Sequence, residues 1–451
     1  MKPHPKKSPP GNSALITALV ANASGEIFDL AGFAAVGADG PLHAPLTVNE
    51  TQVLPFGSEL MYLPDRIPLL YDIELGRMTA LPENPYTPGQ PIFPVAAFNS
   101  PGYVTAFTSA YEEKEGANCL PLFSYGAVGW HRGKFRSTVI RVDDEPRQDL
   151  RQMPPSKIKA GVHRLRRQLP GNRLRAHLEN CALTYGCPAG KNFFLGRYEA
   201  PLPTSGACNA RCLGCLSLQP EGCVPSSQNR IAFIPTPREI ADVALAHIRR
   251  VDRAVVSFGQ GCEGDPLMAA DTIREAVRLI RAETDGGTIN MNTNGSLPQV
   301  LSGLLDAGLD SVRISLNSVR EPCYAAYFRP RGYRIEDVEA SIDAALARGT
   351  HVAINYLHCP GFTDTPEERD ALLGFLRSHP IQMIQWRNLN FDPLRYLSAM
   401  EKAAAGSSPI GMRRLLDQIR EFFPDLSYGY FNPPKEKFRK GPASATHLSN
   451  G

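Results

Sequence analysis

No apolar run in this sequence is long enough to span a bilayer, so a membrane-spanning helix is not expected. Charge of one sign is lacking too: 48 Lys and Arg against 45 Asp and Glu leave a formal net charge of +3 over 451 residues. That balance is too even to imply a nucleic-acid partner unless a local basic cluster supplies one. Cysteines number 10, too sparse in a chain of this length for a small disulfide scaffold. The hydrophobic fraction of 43% and charged fraction of 21% are ordinary for a globular protein, and the length predicts two or three domains over a single core.

Proline is abundant, with 40 residues crowded toward the first 170 positions. Proline cannot donate to a ladder or continue a helix, so the N-terminal half reads as loop-rich or β-rich. Residues 1–13 are rich in Pro, Lys and Gly and read as a disordered tail. Residues 14–150 read as a β-rich domain whose role the sequence does not name. Its strands include 15–21 and 26–36 around a turn at Asn22-Ala23-Ser24-Gly25, then 102–108, 123–130 and 134–142. Lys2, Lys6 and Lys7 before the apolar run 14–21 imitate a signal peptide. The hairpin is preferred because the run is short and contains Thr17, and because the downstream cysteines suit a reducing, cytoplasmic compartment. Residues 151–195 form a connector that carries the basic side chains Lys157, Lys159, Arg164, Arg166, Arg167, Arg173 and Arg175. A solvated helix with Val162, Leu165 and Leu169 turned inward is preferred there over a site for RNA or another polyanion.

From residue 196 to 425 the pattern becomes regular. Strands at 197–202, 254–258, 288–292, 311–316, 351–357 and 383–387 alternate with helices at 237–250, 266–283, 298–307, 335–348, 366–378 and 411–423. Thr236 and Glu239 form a capping box at the first of these helices. The alternation predicts an α/β domain with a parallel sheet, either an open doubly wound sheet or a curved barrel. In both, ligands meet the residues that follow the carboxyl ends of the strands. Residues 426–451 read as a C-terminal tail.

Directly after the first strand stand Cys208, Cys212 and Cys215, in a CxxxCxxC spacing. Three thiolates on one loop can each hold one iron of a [4Fe–4S] cube and leave the fourth iron open. A structural zinc site would ask for four ligands, and no second Cys-x-x-Cys knuckle is present. The second strand runs into Gly259, Gly261, Glu263 and Asp265; the third into Asn292-Thr293-Asn294-Gly295; the fourth carries Ser315 and Asn317; the fifth carries Asn355.

In this arrangement residues 196–425 resemble the core of the radical S-adenosylmethionine (radical SAM) superfamily. The resemblance implies a partial (β/α)6 barrel fused to the β-rich N-terminal domain. It implies a [4Fe–4S] cluster on Cys208, Cys212 and Cys215, with SAM on the open iron. Reductive cleavage of SAM then yields a 5′-deoxyadenosyl radical that attacks a substrate, with electrons from a donor such as flavodoxin or ferredoxin. Gly259, Gly261, Glu263 and Asp265 match the family's segment for the SAM amino group. Asn292, Asn294, Ser315, Asn317 and Asn355 match its nucleoside and carboxylate contacts. Gly214 stands where the family usually has an aromatic residue, so another side chain covers adenine or the pocket is more open. Cys181, Cys187 and Cys223 offer a possible second iron–sulfur cluster, with Cys262 or Cys119 as a fourth ligand; buried apolar packing is the competing role. Cys262 and Cys359, at strand ends, are candidates for a reactive thiol. Gln385, Arg387, Asn388, Asn390 and Asp392 suggest contact with a polar ligand, and Tyr324, Tyr327 and Tyr333 read as loop packing. The substrate is not identified; a peptide, a protein or RNA would each fit. The competing function is an iron–sulfur or zinc protein for binding or sensing, without SAM chemistry.

Overall fold

The computed structural model describes residues 15–219 and 224–438, so the N-terminal tail and Cys223 lie outside the described residues. The chain opens on the expected hairpin: Thr17–Ala21 pairs antiparallel with Ile27–Ala34. Its turn is locked locally, because Asn22 Oδ1 accepts from the N–H groups of Ser24 and Glu26 at 3.1 and 3.0 Å, and Gly25 takes a positive φ of 82°. Further antiparallel strands join it in a ten-stranded sheet with two small satellite sheets.

Three helices follow: α1 (Pro155–Gln168), α2 (Arg173–Leu183) and α3 (Pro188–Leu195). Helix α1 buries Ile158, Val162 and Leu165, as its apolar spacing predicts. Three arginines of α1 and α2 meet the chain's own carboxylates. Arg166 and Arg175 share Glu179, and Arg173 pairs with Glu239 at 2.7 Å. These arginines therefore belong to the packing of the connector.

The second half is a seven-stranded parallel sheet in sequential order. Its strands are β1 (Glu199–Pro201), β2 (Val255–Phe258), β3 (Thr288–Thr293), β4 (Ser311–Leu316), β5 (His351–His358), β6 (Met383–Asn388) and β7 (Ser427–Gly429). The crossover helices are α4 (Pro237–Ile248), α5 (Ala270–Glu283), α6 (Pro298–Asp306), α7 (Glu321–Phe328), α8 (Ile335–Ala347), α9 (Pro366–Ser378), α10 (Pro393–Ala403) and α11 (Met412–Phe422). Helices α7 and α10 and strand β7 are additions to the pattern read from sequence. Residues assigned there to a C-terminal tail are in part structural: β7 pairs with β6, Lys435 N–H bonds Thr288 Oγ1 at 2.7 Å, and Phe438 stacks on His351.

The N-terminal region is seated on the strand ends of the barrel. Asn388, at the end of β6, receives the Thr105 N–H and donates to the Tyr103 carbonyl, both at 2.9 Å, and so imitates a ladder partner. Arg66, 1% exposed, reaches Asp392 at 3.1 Å and Glu113 at 2.8 Å. A third contact is a carboxyl pair: Asp39 from the N-terminal region faces Asp364 in the loop after β5, whose Oδ1 accepts the Gly361 N–H at 2.8 Å. Burial and the Asp364 charge push Asp39 up to about 8.

The folded chain holds at this pair a proton that an unfolded aspartate gives up near 3.8. Its contribution to stability is therefore whole below that value and is lost as the pH climbs to about 8. Melting temperature measured across that window is expected to fall for the wild type. The fall should be shallower in Asp39→Asn, which carries no proton to lose; identical pH curves would show that the pair does not titrate.

Candidate active site at the mouth of the barrel

The loop after β1 carries Cys208, Cys212 and Cys215, and all three line one cavity of about 760 Å³. Helix α7 supports the loop from behind, since the N–H groups of Arg211 and Leu213 bond the carbonyls of Phe328 and Tyr327 at 2.9 and 3.0 Å. Asn390 fixes the Gly214 carbonyl at 2.8 Å, and the Tyr327 hydroxyl lies 3.0 Å from where a Gly214 Cβ would stand. Tyr327 and Phe328 both line the cavity, so α7 supplies the aromatic surface that Gly214 does not. Tyr327 is thus a wall of the site as well as a packing residue. Burial pushes the Cys208 thiol up to about 11 and raises Cys212 further, with neighbouring thiols adding to both. Three half-buried cysteines on one cavity wall suit a soft metal centre that displaces their protons.

Glu263 holds this loop to the barrel. It is 4% exposed, and both carboxylate oxygens are used. Oε2 accepts the N–H groups of Thr204 and Ser205 at 2.7 and 2.9 Å, while Oε1 accepts those of Gly259 and Gln260 at 2.8 and 2.7 Å. Burial still pushes it up to about 7 against these four donors. Around it the two loops touch at backbone distance. Gly264 N–H bonds Ser205 O at 2.6 Å, and a Cβ on Gly264 would lie 1.9 Å from the Ala207 carbonyl. Gly259, at φ 77°, is as confined, its Cβ position only 1.7 Å from Asn292 O. Asp265 is likewise internal, accepting from Thr293 Oγ1, Asn294 N–H and Leu267 N–H at 2.8, 2.7 and 3.0 Å.

Asn292, Asn294, Ser315 and Asn355 line the cavity, as do Gly259, Gly261, Glu263 and Asp265. Asn317 points elsewhere: it is fully buried and donates to Cys323 O and Tyr396 Oη at 3.3 and 3.1 Å. Of the two reactive-thiol candidates, Cys359 is buried beside Thr105, Ser124 and Tyr125, away from the cavity lining. Cys262 is turned toward α2, where Cys181 and His177 meet it. Cys187 lines the cavity. His177 went unnoticed in the sequence, though its four-residue spacing from Cys181 on a helix is the signal that marks it.

Sequence reading also missed Arg313, on β4. It lies on the cavity wall beside Arg387 of β6, and both donate to Gln385 Oε1. Arg387 also bonds Asn355 Oδ1 at 2.8 Å and lies 3.5 Å from the Tyr430 ring centre. Arg313 Nε has no hydrogen-bond partner among the described residues. Burial, then the Arg387 charge, lowers Arg313 to about 9, and Glu199, whose charge opposes this, is itself held by Asn432 and Arg147. Of the polar set near β6, Arg387, Asn388 and Asn390 reach the cavity, whereas Asp392 caps α10 and pairs with Arg66. The roof comes from the N-terminal region, through Phe98, Asn99, Leu122 and Phe123.

Three thiols and a glycine-rich loop stand at the carboxyl edge of the parallel sheet, and residues 202–376 match the sequence profile of the radical SAM superfamily. Members of that family use a [4Fe–4S] cluster and S-adenosylmethionine. The chain is 25% identical over 236 residues to the GTP 3′,8-cyclase of Chlorobaculum tepidum, covering 50% of this chain and 62% of that protein. It is 33% identical over 166 residues to the GTP 3′,8-cyclase of Corynebacterium glutamicum, covering 35% and 40%. The chain thus spans less than two thirds of the curated relatives it matches. Among solved structures, SuiB of Streptococcus suis bound to S-adenosylmethionine is similar at 14% identity and a TM-score of 0.36, over 52% of this chain and 50% of that one.

Replacing Glu263 by Gln turns an amide NH2 toward two backbone donors that now find an acceptor. The variant is expected to lose about 2–3 kcal/mol in urea unfolding, because buried donors are left unpaired. Its iron content after anaerobic reconstitution should fall with it. Wild-type stability together with full iron would remove Glu263 from this role.

Proposed function

We propose that this protein is a radical SAM enzyme with Cys208, Cys212 and Cys215 as cluster ligands. The observation that carries the reading is that these three thiols, in their CxxxCxxC spacing, open together onto the cavity formed by the ends of β2–β6. The donor set fits a [4Fe–4S] cluster with one iron left for SAM. With a cluster bound by these cysteines, the chemistry supplied would be one-electron reductive cleavage of SAM to methionine and a 5′-deoxyadenosyl radical. The chain's own residues orient and enclose. Asn292, Asn294, Ser315 and Asn355 present polar atoms to the nucleoside and amino-acid ends of SAM, while Glu263 and Asp265 act through the backbone they brace. Tyr327 and Phe328 wall the cavity, and the β-rich region roofs it, which keeps a reactive radical from water.

The substrate in this reading carries an anionic group. Two guanidiniums with one amide oxygen between them, and with Arg313 Nε unpaired, favour a carboxylate or phosphate in the cavity. The cyclase relatives are named for GTP, a substrate of that charge. An external reductant such as flavodoxin or ferredoxin is needed, and a cytoplasmic location suits the reduced thiols. No helix among the described residues is long and apolar enough to cross a membrane.

Anaerobic reconstitution followed by reduction tests the reading. The wild type is expected to release 5′-deoxyadenosine from SAM, and the Cys208→Ala, Cys212→Ala, Cys215→Ala variant to release none. Zinc bound by these cysteines without SAM cleavage would instead support the binding or sensing role. Arg313→Gln separates the two possible anions: SAM half-saturation within about twofold of wild type assigns the pair to the substrate, whereas a rise of about tenfold or more assigns it to the SAM carboxylate.

A further inference from the structure

A second group of soft donors lies behind the glycine-rich loop. His177 and Cys181 stand four residues apart on α2 and so share one face, and Cys262 approaches from the loop after β2. His177 Nε2 is 3.5 Å from Cys262 Sγ and 3.5 Å from Cys181 Sγ, and the three donor atoms all lie within 4.8 Å of one another. Cys181 and Cys262 are buried and His177 is half-buried.

These separations are those of ligands on a single ion. With metal–nitrogen and metal–sulfur distances of about 2.0 and 2.3 Å, a nitrogen and a sulfur on one tetrahedral zinc lie about 3.5 Å apart. Thiolates on a [4Fe–4S] cube bind one to each iron, so their sulfurs are spread across the cube. As hydrogen bonds the same contacts are weak, because a thiol is a poor donor and a poor acceptor. Cys187 is close at hand: its N–H bonds Cys181 O at 2.9 Å, and its thiol is near enough to respond to the Cys181 charge.

We infer that His177, Cys181 and Cys262 form a mononuclear site for zinc or a similar thiophilic divalent ion, with Cys187 or water in the fourth position. The ion would clamp α2 to the loop that carries Glu263, and so stiffen the segment that holds the cluster cysteines. The assignment is independent of the radical SAM reading, since none of its ligands belongs to the Cys208, Cys212 and Cys215 set.

Elemental analysis of the full chain, purified anaerobically, tests it. The expected result is one zinc per chain beside the iron, lost in Cys181→Ser, Cys262→Ser but retained in the Cys208→Ala, Cys212→Ala, Cys215→Ala variant. Zinc that is absent from the wild type, or unchanged in the double variant, overturns the inference. Additional iron and sulfide that depart with Cys181 and Cys262 would overturn it in favour of a second cluster, and a cross-linked Cys181–Cys262 peptide in favour of a disulfide. Should the double variant fail to fold, cobalt titration of the Cys208→Ala, Cys212→Ala, Cys215→Ala chain decides. Intense tetrahedral bands with thiolate-to-cobalt charge transfer support the site, and their absence overturns it.

Discussion

Glu263 is the point on which this architecture turns. A carboxylate buried without a cation is costly, and here four backbone N–H groups from two loops repay the lost hydration. Those loops leave neighbouring strands, and neither has regular structure of its own at the contact. The carboxylate gives them a common acceptor, and the glycines let their backbones close to a distance no side chain would permit. Placement of the cysteine loop follows from that junction. Its far edge is then pinned by α7 through the Tyr327 and Phe328 carbonyls.

The same strand ends carry a second division of labour. On the β1–β3 side the cavity wall consists of the cysteine loop, the glycine-rich loop and the Asn292–Asn294 turn, joined through Asp265 and Asn209. On the β4–β6 side it includes Arg313 and Arg387, which both donate to the buried Gln385 Oε1 behind them. One side of the cavity therefore presents thiols and braced loops, and the other a pair of guanidiniums. The N-terminal region closes the opening between them, anchored by Arg66 to Asp392 and by Asn388 to the strand at Tyr103–Thr105. An ion pair as buried as Arg66 with Asp392 adds little to stability over apolar packing, but it penalises any misplacement of the roof, because separation strands both charges.

Much of the barrel is legible in the residues. Strand β4 and helix α9 occupy the spans expected of them, and α4 begins at the capping box of Thr236 and Glu239. Helices α7 and α10 escaped because their patterns are weak locally: α7 has only eight residues, and its buried Cys323, Tyr324, Tyr327 and Phe328 trace no clear apolar stripe. Strand β7 is three residues long and owes its existence to the free edge of β6. In the site, the thiol trio and the Asn292–Asn294 turn were readable as motifs, since each is contiguous in sequence. Asn317 was misread because strand alternation is interrupted just past β4, which sends its amide to Tyr396 instead of the cavity.

By itself the sequence determined what periodicity and local chemistry can encode: a parallel α/β domain, a β-rich partner, and three thiols on the loop that follows a strand. Only the tertiary structure decided which distant groups meet. It joined Arg313 to Gln385 across 72 positions, and through that amide to Arg387, and it set His177 and Cys181 against Cys262. It also turned Glu263 inward as a brace. Such meetings depend on strand order and crossover packing, and no window along the chain contains both partners.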